Sequence, residues 1–259
     1  MLFGGGGNDY LIGGGGNDKA FGDAGNDTVI GADGDDYLNG GADDDLIVGN
    51  EGADTLLGDS GNDYLDGGIG DDLVMGGTGD DTVLGGDGND YVNGEGGDDL
   101  VFGGDGIDTL LGAGGNDYLN GENGNDIVFG DAGNDTVIGG EGNDYLSAGA
   151  GDDNLVGGNG DDTLFAGARS DYLQGDPGDD LFVFDGTFET SIIVDFEPGR
   201  VAHHDVIQFI GGVFADFADL MAHSVQSATN TVITDSGEHT LTLANVIKAN
   251  LISDDFVFV

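Results

Sequence analysis

Residues 85–93 read Gly-Gly-Asp-Gly-Asn-Asp-Tyr-Val-Asn, and a unit of this form repeats twenty times without insertion or deletion from Gly4 to Val183. The first, second and fourth positions are mostly glycine, the fifth is mostly Asn or Asp, and the eighth is always apolar. A fixed short period of this kind predicts a solenoid, in which each unit packs only against its neighbours.

The end of each unit has the pattern of a short strand. Side chains of a strand alternate between its two faces, so Val92 points inward between the outward-facing Tyr91 and Asn93. The eighth positions together therefore predict a thin core with one side chain per unit. The first six residues must reverse the chain, which glycine permits through positive φ and which Asn or Asp tolerates at the fifth position.

The sixth position is aspartate in every unit, and these residues are the candidate metal ligands. They are Asp9, Asp18, Asp27, Asp36, Asp45, Asp54, Asp63, Asp72, Asp81, Asp90, Asp99, Asp108, Asp117, Asp126, Asp135, Asp144, Asp153, Asp162, Asp171 and Asp180. Turn carbonyls and carboxylates form an all-oxygen donor set, which suits Ca²⁺, whereas the absence of cysteine and of paired imidazoles disfavours zinc.

Two physical costs make a cation close to obligatory for order. Stacked turns place like-charged carboxylates about 4.8 Å apart, where they repel strongly. Ordering a glycine-rich backbone costs roughly 1–2 kcal/mol per residue, which one apolar side chain in nine does not offset. With two units per turn and one ion between loops n and n+2, roughly eighteen Ca²⁺ ions would bind and reduce the charge to about −12.

The composition excludes several classes of partner. The chain has 4 Lys+Arg against 52 Asp+Glu and a formal charge of −48, so nucleic acid and anionic membranes are unfavourable partners and cations are favourable ones. There is no run of about 18 apolar residues, so no membrane span is predicted. The chain has no cysteine, so no disulfide can stabilise the fold, and bound metal is the obvious alternative means of stabilisation.

Residues 184–259 break the period and form the second predicted region, after a repeat region at 1–183. We expect this region to cap the solenoid, which needs an atypical terminal unit over its open edge. At the other end Met1 leads directly into the array, so we expect a longer parent protein or another covering there. The predicted elements are strands at Ile192–Phe196 and Val206–Phe209, a helix at Asp216–His223, a hairpin of Thr231–Thr234 and Thr240–Leu243 with a turn at Asp235–Glu238, and a terminal strand in Asp254–Val259.

The unit Gly-Gly-x-Gly-x-Asp-x-apolar-x resembles the RTX, or hemolysin-type, calcium-binding repeat over residues 4–183. The resemblance implies an all-β fold, a right-handed parallel β-roll with two nonapeptides per turn and Ca²⁺ in the turns. Ile193–Phe196 followed by Asp205–Ile207 is similar to segments that close such arrays. Asp255–Val259 is similar to the C-terminal signal of type I secretion. The resemblance therefore implies a secreted protein, exported unfolded at low calcium, that folds in millimolar calcium outside the cell.

Some units depart from the pattern. Asp43 and Arg169 replace the fourth-position glycine, and Ala53, Ile107 and Ser170 replace the fifth-position Asn or Asp. Lys19 places a positive charge beside the aspartate of the second unit. Unit 166–174 is the most degraded, so we expect the weakest metal site there.

The seventh position has a second period of three units, as in Tyr91, Leu100 and Thr109. Duplication of a 27-residue block explains it, but a three-sided solenoid with 27 residues per turn is an alternative that an 18-residue repeat would rule out. A threonine ladder would suggest ice binding, although an 18-residue turn puts Thr28 and Thr55 on different sheets. Outward apolar residues at the seventh and ninth positions suggest a surface for self-association or for a partner.

No catalytic constellation is present in the sequence, so we expect the chain not to be an enzyme. His203-His204-Asp205 is the only histidine cluster, adjacent strand residues point to opposite faces, and neither Gly-x-Ser-x-Gly nor His-Glu-x-x-His occurs. Three functions remain: a calcium-dependent folding and secretion module, a calcium-dependent adhesion, glycan-binding or surface-layer self-assembly element, and an accessory module of a secreted enzyme.

Overall fold

The computed structural model describes residues 1–199, 204–237 and 239–259 and consists almost entirely of β-strands. Each nine-residue unit contributes one strand, and successive strands enter two sheets alternately. The odd sheet contains β1 (Leu2–Gly6), β3 (Lys19–Ala24), β5 (Tyr37–Ala42), β7 (Thr55–Ser60), β9 (Leu73–Thr78), β11 (Tyr91–Gly96), β13 (Thr109–Gly114), β15 (Ile127–Ala132), β17 (Tyr145–Ala150), β19 (Thr163–Phe165), β21 (Leu181–Phe184), β23 (Val206–Phe209) and β27 (Phe256–Phe258).

The even sheet is built in the same way and ends in an antiparallel extension. In spatial order it contains β2 (Tyr10–Gly15), β4 (Thr28–Asp33), β6 (Leu46–Glu51), β8 (Tyr64–Ile69), β10 (Thr82–Asp87), β12 (Leu100–Asp105), β14 (Tyr118–Asn123), β16 (Thr136–Glu141), β18 (Asn154–Asn159), β20 (Tyr172–Gln174), β22 (Thr190–Ile193), β26 (Thr240–Leu243), β25 (Asn230–Thr234) and β24 (Ser224–Ser227). The sheets form a parallel β-solenoid, as predicted.

One turn of the solenoid is two units long. Val83 pairs with Val101 on the even sheet and Val92 with Leu110 on the odd sheet, both parallel and both 18 residues apart. The alternative with 27 residues per turn is therefore wrong, because two nine-residue units suffice to close one circuit. As expected from this register, Thr28 and Thr55 lie on opposite sheets, in β4 and β7.

The strands of the array are longer than the three residues that the sequence indicated. β11 runs from Tyr91 to Gly96, so it includes the three residues that open the following unit. Its buried positions are Val92 and Gly94, which confirms the eighth position as the core and adds the first-position glycine to it. Glycine has no side chain to mark this position, but its backbone pairs like that of any other residue in the strand.

The turns depend on positive φ at two positions of the unit. In unit 85–93 these are Gly86, with φ 115°, and Gly88, with φ 151°. Side chains also occur there: Glu95 at a second position has φ 71°, and Asp43 at a fourth position has φ 77°. These non-glycine residues adopt the left-handed region at a cost of order 1–3 kcal/mol each.

The residues after the array continue both sheets. Parallel pairing runs from β21 to β23 and β27 in the odd sheet and from β20 to β22 and β26 in the even sheet, after which β25 and β24 pair antiparallel. Buried phenylalanines widen the core here, including Phe184, Phe188, Phe209 and Phe214. The position 183/184, at which we divided the sequence, falls within β21.

The elements predicted for this region are largely present. Helix α1 (Phe217–Ala222) matches the expected helix and is capped by the Asp216 side chain, which accepts a hydrogen bond from the Asp219 N–H. The β25–β26 hairpin also matches, with Glu238 of its turn outside the described residues. β22 ends at Ile193, three residues short of the prediction, β24 was not expected, and 3₁₀ turns at Lys248–Asn250 and Ser253–Asp255 precede β27. His203 lies outside the described residues. None of the described helices is long and apolar enough to cross a membrane.

Candidate metal centre

The sixth-position aspartates form two columns, one along each edge of the roll where the chain turns from one sheet to the other. In each column the backbone N–H of an aspartate donates to Oδ1 of the aspartate 18 residues later, as from Asp72 to Asp90 and from Asp90 to Asp108, both at 2.8 Å. Eighteen such bonds of 2.7 to 3.2 Å connect the array. One oxygen of each carboxylate from Asp27 to Asp180 is thus fixed by the preceding turn.

The second carboxylate oxygen, Oδ2, is buried and has no hydrogen-bond partner in eighteen of the twenty aspartates. From Asp27 to Asp180 the aspartates are at most 4% exposed. A buried polar atom without a partner costs about 1–3 kcal/mol, and more if it is charged. The eighteen are Asp9, Asp27, Asp36, Asp45, Asp54, Asp63, Asp72, Asp81, Asp90, Asp99, Asp108, Asp117, Asp126, Asp135, Asp144, Asp153, Asp162 and Asp180.

The first-position glycine makes room for this oxygen. A Cβ built on Gly85 would lie 2.5 Å from Oδ2 of Asp90 and 2.6 Å from the carbonyl oxygen of Gly103, one turn further along. A side chain on Gly85 would therefore press on both oxygens; glycine occupies this position in every unit except those that begin with Ala148 and Ala166. The same geometry places a carboxylate oxygen and a carbonyl oxygen on one side of the glycine Cα, which brings two kinds of oxygen donor together.

The turns supply further carbonyl oxygens. Among the described residues, and leaving Asp179 aside, the fourth- and fifth-position carbonyls of the array accept no hydrogen bond, except that of Arg169, which accepts one from the Glu189 N–H. Within the same described ranges, no three Asp, Glu or His side chains are arranged to hold a metal by themselves. A cation at these turns would therefore be held by carboxylate and carbonyl oxygens together, the donors that Ca²⁺ accepts in sets of six to eight.

The columns are electrostatically unfavourable without a counter-charge. Burial is the largest cause of a rise in the pKa of Asp72 to about 7. The hydrogen bond from the Asp54 N–H lowers this pKa, whereas the negative charges of Asp90 and Asp54 raise it further. Burial likewise raises the pKa of Asp180 to about 8, with Asp205, Asp162 and Asp195 contributing. The buried carboxylates therefore resist full ionisation at neutral pH unless positive charge is bound.

The two columns end differently, and the sequence did not indicate how. The Asp180 N–H donates to Oδ1 of Asp205 at 3.2 Å, and Oδ2 of Asp205 accepts from the Glu197 N–H at 2.7 Å, so Asp205 extends one column with both oxygens bonded. In the other column the Asp171 N–H donates to the Ser191 hydroxyl at 3.2 Å, and that hydroxyl donates to Oδ2 of Asp171 at 3.4 Å.

Unit 166–174, in which we expected the weakest site, has two of its oxygen donors already engaged. The Asp171 carboxylate accepts a hydrogen bond from the Ser191 hydroxyl, and the Arg169 carbonyl accepts one from the Glu189 N–H. At the other end of the array Asp18 is only partly buried, with its side chain 23% exposed. Asp18 and Asp171 are thus the two sixth-position aspartates that do not belong to the set with a buried Oδ2 lacking a hydrogen-bond partner.

The fifth position forms a second, exposed ladder that runs in the opposite sense. There the side-chain Oδ1 accepts from the backbone N–H of the residue 18 positions later, as Asn62 does from Asp80 at 3.1 Å. Ala53 and Ile107 donate in this ladder but have no oxygen with which to accept, so each interrupts it. The fifth-position amides and carboxylates thus hold the turns from outside while the sixth-position carboxylates line them from inside.

Comparison with known proteins agrees with this geometry. The family model described as the RTX calcium-binding nonapeptide repeat matches the chain repeatedly between residues 1 and 186. The matched segments are 1–29, 30–65, 39–74, 66–101, 75–110, 102–137, 129–164 and 156–186. No curated protein matches the chain.

Two solved structures are similar over much of the chain. The extracellular lipase LipA from Serratia marcescens is 20% identical, with a TM-score of 0.33, over 91% of this chain and 40% of the lipase. The AlgE6R3 subunit of the mannuronan C5-epimerase from Azotobacter vinelandii is 26% identical, with a TM-score of 0.29, over 61% of this chain and 78% of that subunit. Both TM-scores are below 0.5, so no conclusion about activity follows from either similarity.

Proposed function

The chain belongs to the RTX calcium-binding nonapeptide-repeat family, and on that premise we propose that it is a calcium-dependent folding module that orders after export. Residues 1–183 would bind calcium, and residues 184–259 would cap the roll and carry the secretion signal. RTX repeats bind calcium, and the sixth-position aspartates are the residues to which we assign the binding.

The observation that supports the proposal is the set of eighteen buried carboxylate oxygens without a partner. Eighteen such atoms at about 1–3 kcal/mol each would exceed the 5–15 kcal/mol by which a typical protein is stable. A divalent cation supplies the missing charge and completes the coordination of these oxygens. The number of ions, roughly eighteen, follows from one ion between each pair of stacked loops.

The chain's own residues explain why order depends on the ion. The N–H of each aspartate holds Oδ1 of the next aspartate in its column, so Oδ2 is presented in the same place in every turn. The first-position glycine keeps that place open, as Gly85 does beside Asp90. Without the ion the columns repel and the glycine-rich backbone gains more entropy by disordering than its thin core can offset.

We propose that this dependence serves secretion. RTX repeats occur in secreted proteins, and the C-terminal Asp255–Val259 has the form expected of a type I secretion signal. An unfolded chain can pass through a secretion channel, and the higher calcium concentration outside then drives folding. The chain spans less than half of the lipase to which it is similar. We also propose an accessory role beside the catalytic domain of a secreted protein.

Far-UV circular dichroism of the metal-stripped chain during a calcium titration tests the proposal, with magnesium as the control. We expect a cooperative coil-to-β transition near millimolar calcium and none in magnesium, because Mg²⁺ requires smaller and more regular octahedral sites. Equilibrium dialysis at saturation then counts the ions. A chain that is already β-structured in chelator would contradict the folding switch.

A further inference from the structure

The middle of each outer face of the roll carries almost no charge. The outward side chains there are those of the seventh and ninth positions, and we call the two rows that they form the odd ribbon and the even ribbon, after their sheets. Of these forty residues only Lys19 and Asp66 are charged, although the chain has a formal charge of −48. The other acidic residues of the array lie in the turns or near the ends of the strands, as Glu95 does in β11, so each ribbon runs between two acidic margins.

Each ribbon carries tyrosines paired with a polar side chain two residues further on. Residues i and i+2 of a strand point to the same face, so the phenol ring and the polar group stand side by side about 7 Å apart. Tyr64 and Tyr91 are each 41% exposed. The pairs are Tyr37–Asn39, Tyr64–Asp66, Tyr91–Asn93, Tyr118–Asn120, Tyr145–Ser147 and Tyr172–Gln174. No tyrosine hydroxyl in the described part of the chain forms a hydrogen bond with the protein.

Two of these pairs are held in place by the backbone. Oδ1 of Asn93 accepts from the Glu95 N–H at 3.0 Å, and Oδ1 of Asn120 accepts from the Glu122 N–H at 3.2 Å. Glu95 and Glu122 have φ values of 71° and 72°. Each amide thus keeps its two N–H donors for another partner and is ordered before any partner arrives, which reduces the entropic cost of binding.

The pairs recur along the axis of the roll. Tyr91 and Tyr145 lie on the same sheet, in β11 and β17, three strands or about 14 Å apart. Aromatic neighbours extend the ring surface between them and beyond: the centroids of Phe129 and Tyr145 are 6.0 Å apart, and those of Tyr145 and Phe165 are 5.9 Å apart. Each ribbon is therefore long, narrow and aromatic, with hydrogen-bonding groups at regular intervals.

These features select the partner. Anionic polymers would be repelled by the acidic edges, and cationic ones would be drawn to the edges rather than to the ribbons. The row of seventh- and ninth-position side chains is about 7 Å wide and about 48 Å long, which is the shape of a single extended polymer chain rather than of a broad protein interface. We propose that the ribbons bind an uncharged, linear polysaccharide that lies along the roll axis. Its apolar C–H faces stack on the tyrosine rings, and its hydroxyls bond the amides and phenols.

Polysaccharide binding goes beyond calcium binding. It rests on the proposed function in one respect, because calcium must fold the roll before the ribbons exist. Affinity electrophoresis in calcium through gels that contain dextran, hydroxyethylcellulose or galactomannan tests it, with alginate and dextran sulfate as anionic probes. We expect retardation by at least one neutral polymer and by neither anionic one. Circular dichroism of the same samples shows whether the roll is folded, so a failure to fold is distinguished from a failure to bind.

The variants that test the tyrosines replace them by leucine, which the chain itself has at the seventh position of other units. Tyr91→Leu and Tyr118→Leu retain an apolar strand residue, as at Leu100, but remove the ring and the hydroxyl. We expect each to weaken binding about two- to tenfold, and the matched control Thr109→Leu to leave it unchanged. Absence of retardation by every neutral polymer with the roll folded, retention by the anionic polymers alone, or equal effects of all three variants would overturn the proposal. So would calcium-dependent dimers in sedimentation that Tyr91→Leu dissociates.

Discussion

Asp90→Asn isolates the role of a single unpartnered carboxylate oxygen. Asp90 is 3% exposed, its Oδ1 accepts from the Asp72 N–H at 2.8 Å, and its Oδ2 has no partner. Asparagine has nearly the same shape and retains the oxygen that accepts this bond. It replaces the second oxygen by an NH₂ group, which cannot bind a cation. The variant therefore removes one ligand without opening a cavity.

The size of the effect follows from mass action. An ion that binds only the folded chain stabilises it by RT ln(1 + [Ca²⁺]/Kd), which is about 1.4–2.7 kcal/mol at ~10 mM calcium for a Kd of roughly 0.1–1 mM. Losing one site removes this contribution. With a urea slope of about 2–3 kcal/mol/M, the denaturation midpoint falls by roughly 0.5–1.3 M. The calcium midpoint itself moves little, because the remaining sites still contribute.

Urea denaturation of the calcium-loaded chain, followed by far-UV circular dichroism, measures this difference. Asp171→Asn is the matched control, since Oδ2 of Asp171 already has the Ser191 hydroxyl at 3.4 Å and is not an orphaned atom. We expect the control to lower the midpoint by less than half as much as Asp90→Asn. Equal shifts in the two variants would refute the assignment of the unpartnered oxygens as calcium ligands.

Three further results are expected. Burial raises the pKa of Asp72 to about 7 and that of Asp180 to about 8, above the ordinary value of 3.8, so the metal-free chain takes up protons when it folds. The stability of the metal-free fold is therefore greatest below about pH 4 and is lost as the pH rises through 6 to 8. In chelator, β-structure seen by circular dichroism should therefore increase on acidification, and a decrease would contradict the burial of these carboxylates. Ile107→Asn restores an acceptor to the fifth-position ladder and should raise the urea midpoint in calcium by the equivalent of about 0.5–1.5 kcal/mol, whereas Ile107→Ala should not. Leu65→Ala removes a fully buried core side chain and should cost about 2–5 kcal/mol by the same assay, against no significant change for the outward Leu46→Ala.

The periodic part of the fold could be predicted because its interactions repeat with the sequence. An apolar eighth position such as Val92 is inward in every unit, and an aspartate such as Asp90 recurs at every turn, so one unit describes the array. The strand length was underestimated because Gly94 has no side chain to mark it as a core position, although its backbone continues β11. The 27-residue pattern of the seventh position is a property of the sequence that the 18-residue turn does not share.

The ends of the columns could not be predicted because they depend on contacts without a fixed spacing. Asp205 follows Asp180 by 25 residues and Ser191 follows Asp171 by 20, instead of the regular 18. Nothing in the local sequence distinguishes Ser191 from any other serine until β22 brings it beneath Asp171. The order of the last strands, with β27 beside β23, likewise requires chain that is distant in sequence.

The alternation of units between the two sheets means that a change in the length of the array sets how the two ends of the roll are oriented. Removing eighteen residues deletes one turn and leaves every later strand in its own sheet, because partners are eighteen residues apart. Removing nine would exchange the sheets of all later strands relative to the earlier ones, although β22 and β23 would still follow β20 and β21. Duplication of a 27-residue block adds one and a half turns and exchanges the sheets in the same way. The two ends therefore keep their relative orientation only when the length changes by whole turns.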